Sequence, residues 1–466
     1  MDFSRYSHIF LIGTGGIGMS ALARYFRLKG KAVSGYDRTR TTLTGELESE
    51  GITIIYEDNP ALIDPQFKNP GNVLLIFTPA VKGDNQILQY FTSHHFTLLK
   101  RSEVLGAIAA TYKTIAIAGT HGKTTTSSMV SHLLNQTPNG VNALVGGIIK
   151  NYQSNFIYSE KSEFMVTEAD EFDRSFLKLR PYFGVITACD ADHLDIYGTA
   201  EELIHAYEQF AELVDPEGIL LTKKGIEPAV AKAQAKRKFT YSLDDPDADV
   251  YARHVHIDEH QMTFDLVTPF GTINQLAMKP TGLINIENAV AACFLALQAG
   301  AAEEEIRRGL STFAGVRRRF DLHFNNGTLV YIDDYAHHPE EIKALIRSVK
   351  SIFPLKKITG IFQPHLFSRT RDFADDFALS LQSLDEVILL EIYPAREKPI
   401  EGIHSTFLME KIEHSHKSLL SMEEIPYRLL HHDFEVLLTI GAGSIETLVE
   451  PIMEMISHKT SKQEIP

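Results

Sequence analysis

At 466 residues the chain is longer than a single hydrophobic core usually serves, so two or three domains are expected, and a 44% hydrophobic content is enough to fill them. Its formal net charge of −15 argues against nucleic acid or a membrane surface as a general partner, because phosphate-rich surfaces reward a clustered excess of Lys and Arg. The two cysteines, Cys189 and Cys293, lie far apart without metal-type spacing, which argues against a disulfide scaffold or structural zinc and suits a reducing, cytoplasmic setting. There is no signal-peptide pattern and no run of about 18 apolar residues, so no membrane insertion is expected.

The first predicted unit opens on an apolar strand, Ile9–Ile12, and turns through Gly13-Thr14-Gly15-Gly16-Ile17-Gly18. A helix follows, with Met19, Leu22, Ala23 and Phe26 at helical spacing. Such a turn brings backbone amides and a helix N-terminus against a diphosphate. A second strand, Ala32–Tyr36, ends at Asp37, where a ribose-binding acid would sit; the plainer alternative is a tight turn with Asp37 as its cap. The buried strand Val73–Phe77 delivers Thr78 to the same carboxyl edge. Gly13, Gly15, Gly16, Gly18, Asp37 and Thr78 are the candidate ligand residues here. Taken alone, this turn suits a nicotinamide dinucleotide as well as any other diphosphate.

The second unit begins with the strand Ile115–Ala118 and runs through Gly119-Thr120-His121-Gly122-Lys123-Thr124-Thr125 into a helix. This is a phosphate-loop pattern: turn amides face an anion, Lys123 supplies a cation and the Thr124 hydroxyl reaches a magnesium ion. Ile117 stands where the usual spacing has an earlier glycine. Two further strands end in acids, Phe164–Thr167 in Glu168-Ala169-Asp170-Glu171-Phe172-Asp173 and Gly184–Ala188 in Asp190-Ala191-Asp192-His193-Leu194-Asp195. The first cluster repels itself unless a cation offsets it, which makes Glu168 a candidate metal ligand beside Thr124. On hardness alone His193 stays undecided, since magnesium prefers oxygen. Residues from about 236 to 281 alternate in hydrophobicity around Pro269-Phe270-Gly271 and predict a small antiparallel insert, in which His254 and His256 share a solvated face rather than form a metal site. A helix over Asn288–Leu297 has Asn285 at its head, where an N-cap is its simplest role.

The third unit begins beyond Gly315-Val316-Arg317-Arg318-Arg319-Phe320-Asp321. Its strands, Leu329–Ile332, Ile358–Phe362, Val387–Leu390 and Val436–Ile440, alternate with helices and carry Asp333-Asp334-Tyr335-Ala336-His337-His338-Pro339, Gln363-Pro364-His365 with Ser368-Arg369-Thr370-Arg371, and Gly441-Ala442-Gly443-Ser444 at their ends. The arginine run could place a guanidinium on a phosphate bound between domains. His337-His338 with Arg369 and Arg371 would suit a carboxylate substrate that also bears an amine. The expected architecture is therefore α/β throughout. A Rossmann-like N-terminal domain spans 1–106, a central phosphate-loop domain with the antiparallel insert spans 107–314, and a Rossmann-like C-terminal domain spans 315–466.

Taken together, the glycine turn at 13–18 with Met19 to Ala23, the loop at 119–126, Glu168-Ala169-Asp170-Glu171, Asp192-His193-Leu194-Asp195, and the runs at 315–321, 333–339 and 363–371 resemble the Mur ligases over nearly the whole chain. The resemblance implies an ATP-dependent, amide-forming ligase of peptidoglycan synthesis whose substrates are UDP-N-acetylmuramate and L-alanine. By it the muramyl carboxylate takes the γ-phosphate of ATP, and the alanine amine then displaces phosphate from the acyl phosphate. It assigns Thr124, Glu168 and His193 to Mg²⁺, with Mn²⁺ as an alternative. It places Asn285, Asn288, Arg319 and Asp334 with Gly119–Thr125 around the nucleotide, and His337 and Arg369 near the alanine, and it gives the N-terminal turn a UDP diphosphate. Lys123, Glu168, His193, Arg319 and His337 become the catalytic candidates, and a monomer or homodimer is expected. The sequence departs from the family pattern at Ile284, Phe172, Leu366 and Ser444. A relative adding a different amino acid, or from another class a nicotinamide-dependent oxidoreductase, remains the alternative at this point.

Overall fold

The computed structural model describes residues 1–190, 197–226, 230–395 and 397–463, and contains three β-sheets clothed by helices. The first sheet has the order Thr53–Ile55, Ala32–Tyr36, His8–Ile12, Val73–Phe77, Thr97–Lys100, and all its strands are parallel. Strands such as Val73-Leu74-Leu75-Ile76 are buried to the last residue because helices cover both faces, so no polar alternation survives. Ile12 is in register with Tyr36 on one side and Phe77 on the other. The chain therefore leaves the sheet at Gly13, Asp37 and Thr78 side by side.

The second sheet has ten strands. Its middle is Phe183–Ile186, Lys113–Ala118 and Phe164–Glu168, paired in parallel. Asn142–Ile149 and Ser154–Ile157 form one edge. On the other side Ile219–Lys223, Arg237–Ser242, Val250–Ile257, Met262–Thr268 and Gly271–Met278 follow in that order. The region expected as a small antiparallel insert continues the central sheet. Arg237–Ser242 and the start of Val250–Ile257 pair in parallel, and only the last strands, joined by loops too short for a crossover, turn back on themselves. His254, at φ +54°, and His256 are both exposed, in keeping with a solvated face.

The third sheet runs Asp321–Asn325, Val330–Asp334, Val436–Ile440, Ile358–Phe362, Glu386–Leu389, Lys417–Leu419, parallel except for the first pair. The expectation of an α/β chain with three sheet-bearing parts agrees with this arrangement.

Internal packing divides the chain into two compact units, one of residues 1–253, 265–276 and 287–314, the other of 254–264, 277–286 and 315–466. Within the first unit, the helix Ile17–Leu28 buries Met19, Leu22, Ala23 and Phe26 and packs on the edge strands Asn142–Ile149 and Ser154–Ile157 of the ten-stranded sheet. Arg24, nearly buried on that helix, donates to Asn155 Oδ1 at 2.6 Å and to Glu50 at 2.6 Å, and Asn155 donates in turn to Ser20 Oγ at 3.0 Å. Desolvated charge-assisted bonds of this kind fix one sheet against the other.

Candidate active site

The strand Lys113–Ala118 brings Ile117 level with Glu168 on one neighbour, and Ala118 level with Ile186 on the other. All three strands are parallel, so Gly119, Ala169 and Thr187 leave the sheet at one edge. Gly119 has φ +127°, and a Cβ on it would stand 2.2 Å from Thr187 Oγ1 and 2.7 Å from the Ala188 nitrogen, so only glycine fits. Gly122, at φ +82°, starts the helix Lys123–Leu134, and a Cβ there would meet Asn288 Oδ1 at 2.8 Å. The Thr187 hydroxyl donates to the Ala118 carbonyl at 3.0 Å and also bonds the His121 carbonyl, which ties the turn to the next strand. Ile117, where a glycine was missing from the common spacing, is a fully buried strand residue between Glu168 and Val185. The shorter loop simply begins later, after the strand has ended.

Lys123 Nζ donates to the Gly119 carbonyl at 2.6 Å and to Glu171 Oε1 at 2.7 Å. Burial alone would depress the lysine, but Glu171, Asp170 and Glu168 hold its pKa above the ordinary value. Burial raises both Glu168 and Glu171, against the pull of Lys123. Glu168 accepts from the Gly146 amide at 2.6 Å, and the Thr124 hydroxyl also bonds it. A Cβ on Gly146 would lie 2.5 Å from that carboxylate. This pairing of a buried carboxylate with a hydroxyl at a phosphate loop is a hard-oxygen set. It fits magnesium, which takes one or two protein oxygens and completes its shell with phosphate and water. His121 Nε2 lies 3.7 Å from Asp190, and Thr125 sits half-buried in the first turn of the helix. The Asn288 Oδ1 accepts from Thr126 at 3.2 Å, which holds it beside the loop. His193 lies outside the described residues.

At the first sheet, Gly13 has φ +87° and its amide donates to the Tyr36 carbonyl at 2.8 Å. The Asp37 carboxylate accepts from the Gly15 amide at 2.8 Å and from the Thr39 amide at 3.1 Å. Asp37 is thus a clamp on the turn in this structure, as in the plainer of its two readings. Thr78 crowds Gly13, with its Cγ2 2.7 Å from where a Cβ would be, while a Cβ on Gly16 would come no nearer than 3.3 Å to another backbone atom. The last glycine of the turn, Gly18, faces Arg101, whose Nη1 would lie 2.7 Å from an added Cβ. Arg101 in turn pairs with Asp170 at 3.6 Å. Sequence reading missed Arg101. The signal for it, an arginine at the head of the helix Arg101–Ala109, is weak without the sheet that faces it.

In the second unit the arginine run divides. Arg318, at φ +60°, donates from Nε to fully buried Asp333 at 3.1 Å, pairs with Glu446 at 3.2 Å and bonds the Gly441 carbonyl. Arg319 is left over the Tyr335 ring, 5.1 Å from its centroid, with Glu341 4.0 Å away. Asp334 accepts from the Phe320 amide at 2.6 Å and the Ala336 amide at 2.7 Å. His337 Nδ1 lies 3.0 Å from the Tyr335 carbonyl and 3.3 Å from Glu341. Burial pushes His337 below its ordinary value, Glu341 opposes this, and Arg369 adds to it. A neutral ring donating from Nδ1 leaves the Nε2 lone pair to accept a proton. Asn285 stands within the helix Leu283–Gln298 and donates to the Thr281 carbonyl at 2.7 Å, so it is not the N-cap that the sequence offered as its simplest role. Of the departures, Leu366 adopts φ +71° at the head of the helix Phe367–Asp372, and Ser444 accepts from Gln363 at 3.1 Å.

Asp334 carries a pH-linked expectation. Burial raises its pKa to about 6, against Arg319 and the two amides. The folded value lies above the unfolded one of about 3.9, so the folded state holds the extra proton between them. Its contribution to stability is greatest below about pH 4, falls as the pH rises to about 6 and is flat beyond, a span of roughly 2–3 kcal/mol. Urea titrations of the wild type and Asp334→Asn at pH 4.5 and 7.5 should show the gap between them changing in that sense, and a gap independent of pH would refute it.

The strand–turn–helix at Gly119–Lys123 with its acidic neighbour has the form of a phosphate loop in an α/β protein. The Mur ligase middle domain matches residues 117–296, the Mur ligase family catalytic domain residues 8–113, and the Mur ligase glutamate ligase domain residues 318–443. The chain belongs to the Mur ligase family. It is 49% identical over 462 residues to a UDP-N-acetylmuramate–L-alanine ligase of Parabacteroides distasonis, covering 99% of this chain and 100% of that one. A UDP-N-acetylmuramate–L-alanine ligase of Phocaeicola vulgatus is 47% identical, with 98% and 100% covered. Among solved structures, the UDP-N-acetylmuramate–alanine ligase of Thermotoga maritima superposes with a TM-score of 0.81 at 25% identity, covering 98% of this chain and 99% of that one.

Proposed function

We infer that this chain is an ATP-dependent ligase that joins L-alanine to the carboxylate of UDP-N-acetylmuramate, giving ADP and phosphate. The observation that carries this is the end-to-end likeness to ligases of that specificity, joined to a phosphate loop whose lysine and buried carboxylates are in contact. A nicotinamide-dependent oxidoreductase leaves that second site without a purpose.

In the first step the muramyl carboxylate attacks the γ-phosphorus, the bond to the β-γ bridging oxygen breaks, and an acyl phosphate and ADP result. Lys123 faces the charge that spreads over the transferred group, and the amides of Gly119–Thr125 hold the remaining phosphates. Thr124 and Glu168, with His193 by family resemblance, are the residues that would hold Mg²⁺, or Mn²⁺ in its place. Bound there, the cation supplies charge neutralisation on the phosphate oxygens. In the second step the alanine amine attacks the acyl carbon and phosphate leaves. His337 Nε2 is suited to take the ammonium proton, and Arg369 to hold the alanine carboxylate. Asn285, Asn288, Arg319 and Asp334 serve the nucleotide, and Gly13, Gly15, Gly16, Gly18, Asp37 and Thr78 the UDP moiety.

The three domains are taken as 1–106, 107–314 and 315–466. A cytoplasmic monomer or homodimer fits the substrates, and among the described residues no helix is long and apolar enough to cross a membrane. Phosphate release measured with UDP-N-acetylmuramate, ATP and a panel of amino acids tests substrate, nucleotide and reaction class at once. Alanine is expected to give the highest kcat/KM. Preference for glycine, serine or a tripeptide, or no dependence on the sugar nucleotide, would overturn the proposal.

A further inference from the structure

Arg101 stands between the two ligand-binding turns of the first unit. Its guanidinium packs against Gly18, with Nη1 2.7 Å and Cζ 3.3 Å from the place a Cβ would take, so the last glycine of the N-terminal turn leaves the space this arginine fills. On its other side Nη2 lies 3.6 Å from Asp170, two residues beyond Glu168 on the acidic strand end beside the phosphate loop. The acidic end therefore meets two cations: Lys123, held at 2.7 Å by the fully buried Glu171, and Arg101, held more loosely by an Asp170 that is 40% exposed. The arginine side chain itself keeps 23% exposure. A planar guanidinium prefers a carboxylate, bound through two parallel N–H donors, and a 3.6 Å contact to a half-exposed partner leaves that preference open to a better one.

We propose that Arg101 is a substrate-binding residue that receives the lactyl carboxylate of the sugar nucleotide in place of Asp170, and so directs it from the N-terminal turn toward the phosphate loop. This rests on the ligase function above. The carboxylate is the one charged group of that substrate that has to reach the phosphate loop, and Arg101 is a side chain that meets both the N-terminal turn and the acidic strand end beside that loop. The exchange swaps one carboxylate for another on the same guanidinium, with no net change in charge at Arg101. Asp170, released, adds its negative charge to the acidic end where the metal-bound nucleotide arrives.

The test is calorimetric binding of three probes to the full chain: UDP, UDP-N-acetylglucosamine, which has the sugar and diphosphate without the lactyl carboxylate, and UDP-N-acetylmuramate. Arg101→Ala and Arg101→Lys are compared with the wild type, thermal denaturation confirming that each is folded. Both variants are expected to weaken UDP-N-acetylmuramate by about tenfold or more, the alanine more than the lysine, and to leave the other two probes within about twofold. In turnover the same change should fall on the KM for the sugar nucleotide and spare that for ATP. Equal weakening of all three probes would assign Arg101 to the diphosphate and overturn the proposal, as would unchanged binding of all three. Failure of the wild type to bind UDP-N-acetylmuramate would instead overturn the functional reading, which separates the two.

Discussion

Lys123→Ala is expected to lower kcat by about a hundredfold or more, since one donor aimed at developing charge is worth about 3 kcal/mol. The same substitution has a structural cost. It takes away the cation 2.7 Å from Glu171, a carboxylate with no exposed surface, and breaking a buried pair costs about 3–5 kcal/mol. The two effects separate in the double variant Lys123→Ala/Glu171→Gln, which removes both charges. Its denaturation midpoint should return most of the way to the wild type while its turnover stays as low as that of the single variant. Recovery of turnover along with stability would mean that Lys123 holds the fold and does not face the transferred phosphoryl group.

The neighbouring arginines of the second unit should fail in opposite ways. Arg318→Ala removes the partner of the fully buried Asp333 and opens the contact with the Gly441 turn, so a loss of about 3–5 kcal/mol is expected in urea denaturation. Arg319 makes a 4.0 Å approach to Glu341, a ring contact and a longer-range attraction to Asp334, with no close ion pair among the described residues, so Arg319→Ala should cost less than about 1 kcal/mol in stability. Its cost should fall on turnover, by about a thousandfold, if its guanidinium meets the charge on the transferred phosphoryl group. A stable Arg318→Ala together with a fully active Arg319→Ala would reverse both assignments.

These two arginines show where sequence reading stops. Both stand in one polar run, and which is buried is decided by the positive φ of Arg318 and Phe320, a backbone feature that no residue type there announces. The glycine turns at 13–18 and 119–122 were legible because their requirements are local: a strand, a backbone position that only glycine tolerates, a helix. The acidic strand end at Glu168–Glu171 was legible for the same reason, since its run of carboxylates is contiguous. Pairings across long sequence separations were not, as with Arg101 to Asp170, Arg24 to Asn155, or Asp333 to Thr439. Nor was the strand order that makes the supposed insert an extension of the central sheet. The same limit applies to Asn285, whose place in the helix depends on a start at Leu283 that Gly282 and Leu283 do not signal.

The packing of the helix Ile17–Leu28 on the edge of the ten-stranded sheet, pinned by Arg24 and Asn155, makes the first unit a ruler. One mark is the glycine turn that opens the helix, the other the phosphate loop, and both are fixed to the same body. On the function proposed above, the reach from the diphosphate of a sugar nucleotide to its reactive carboxylate is measured against that spacing. Selection against a nucleotide sugar with a shorter or longer arm is then a matter of length before it is one of contacts.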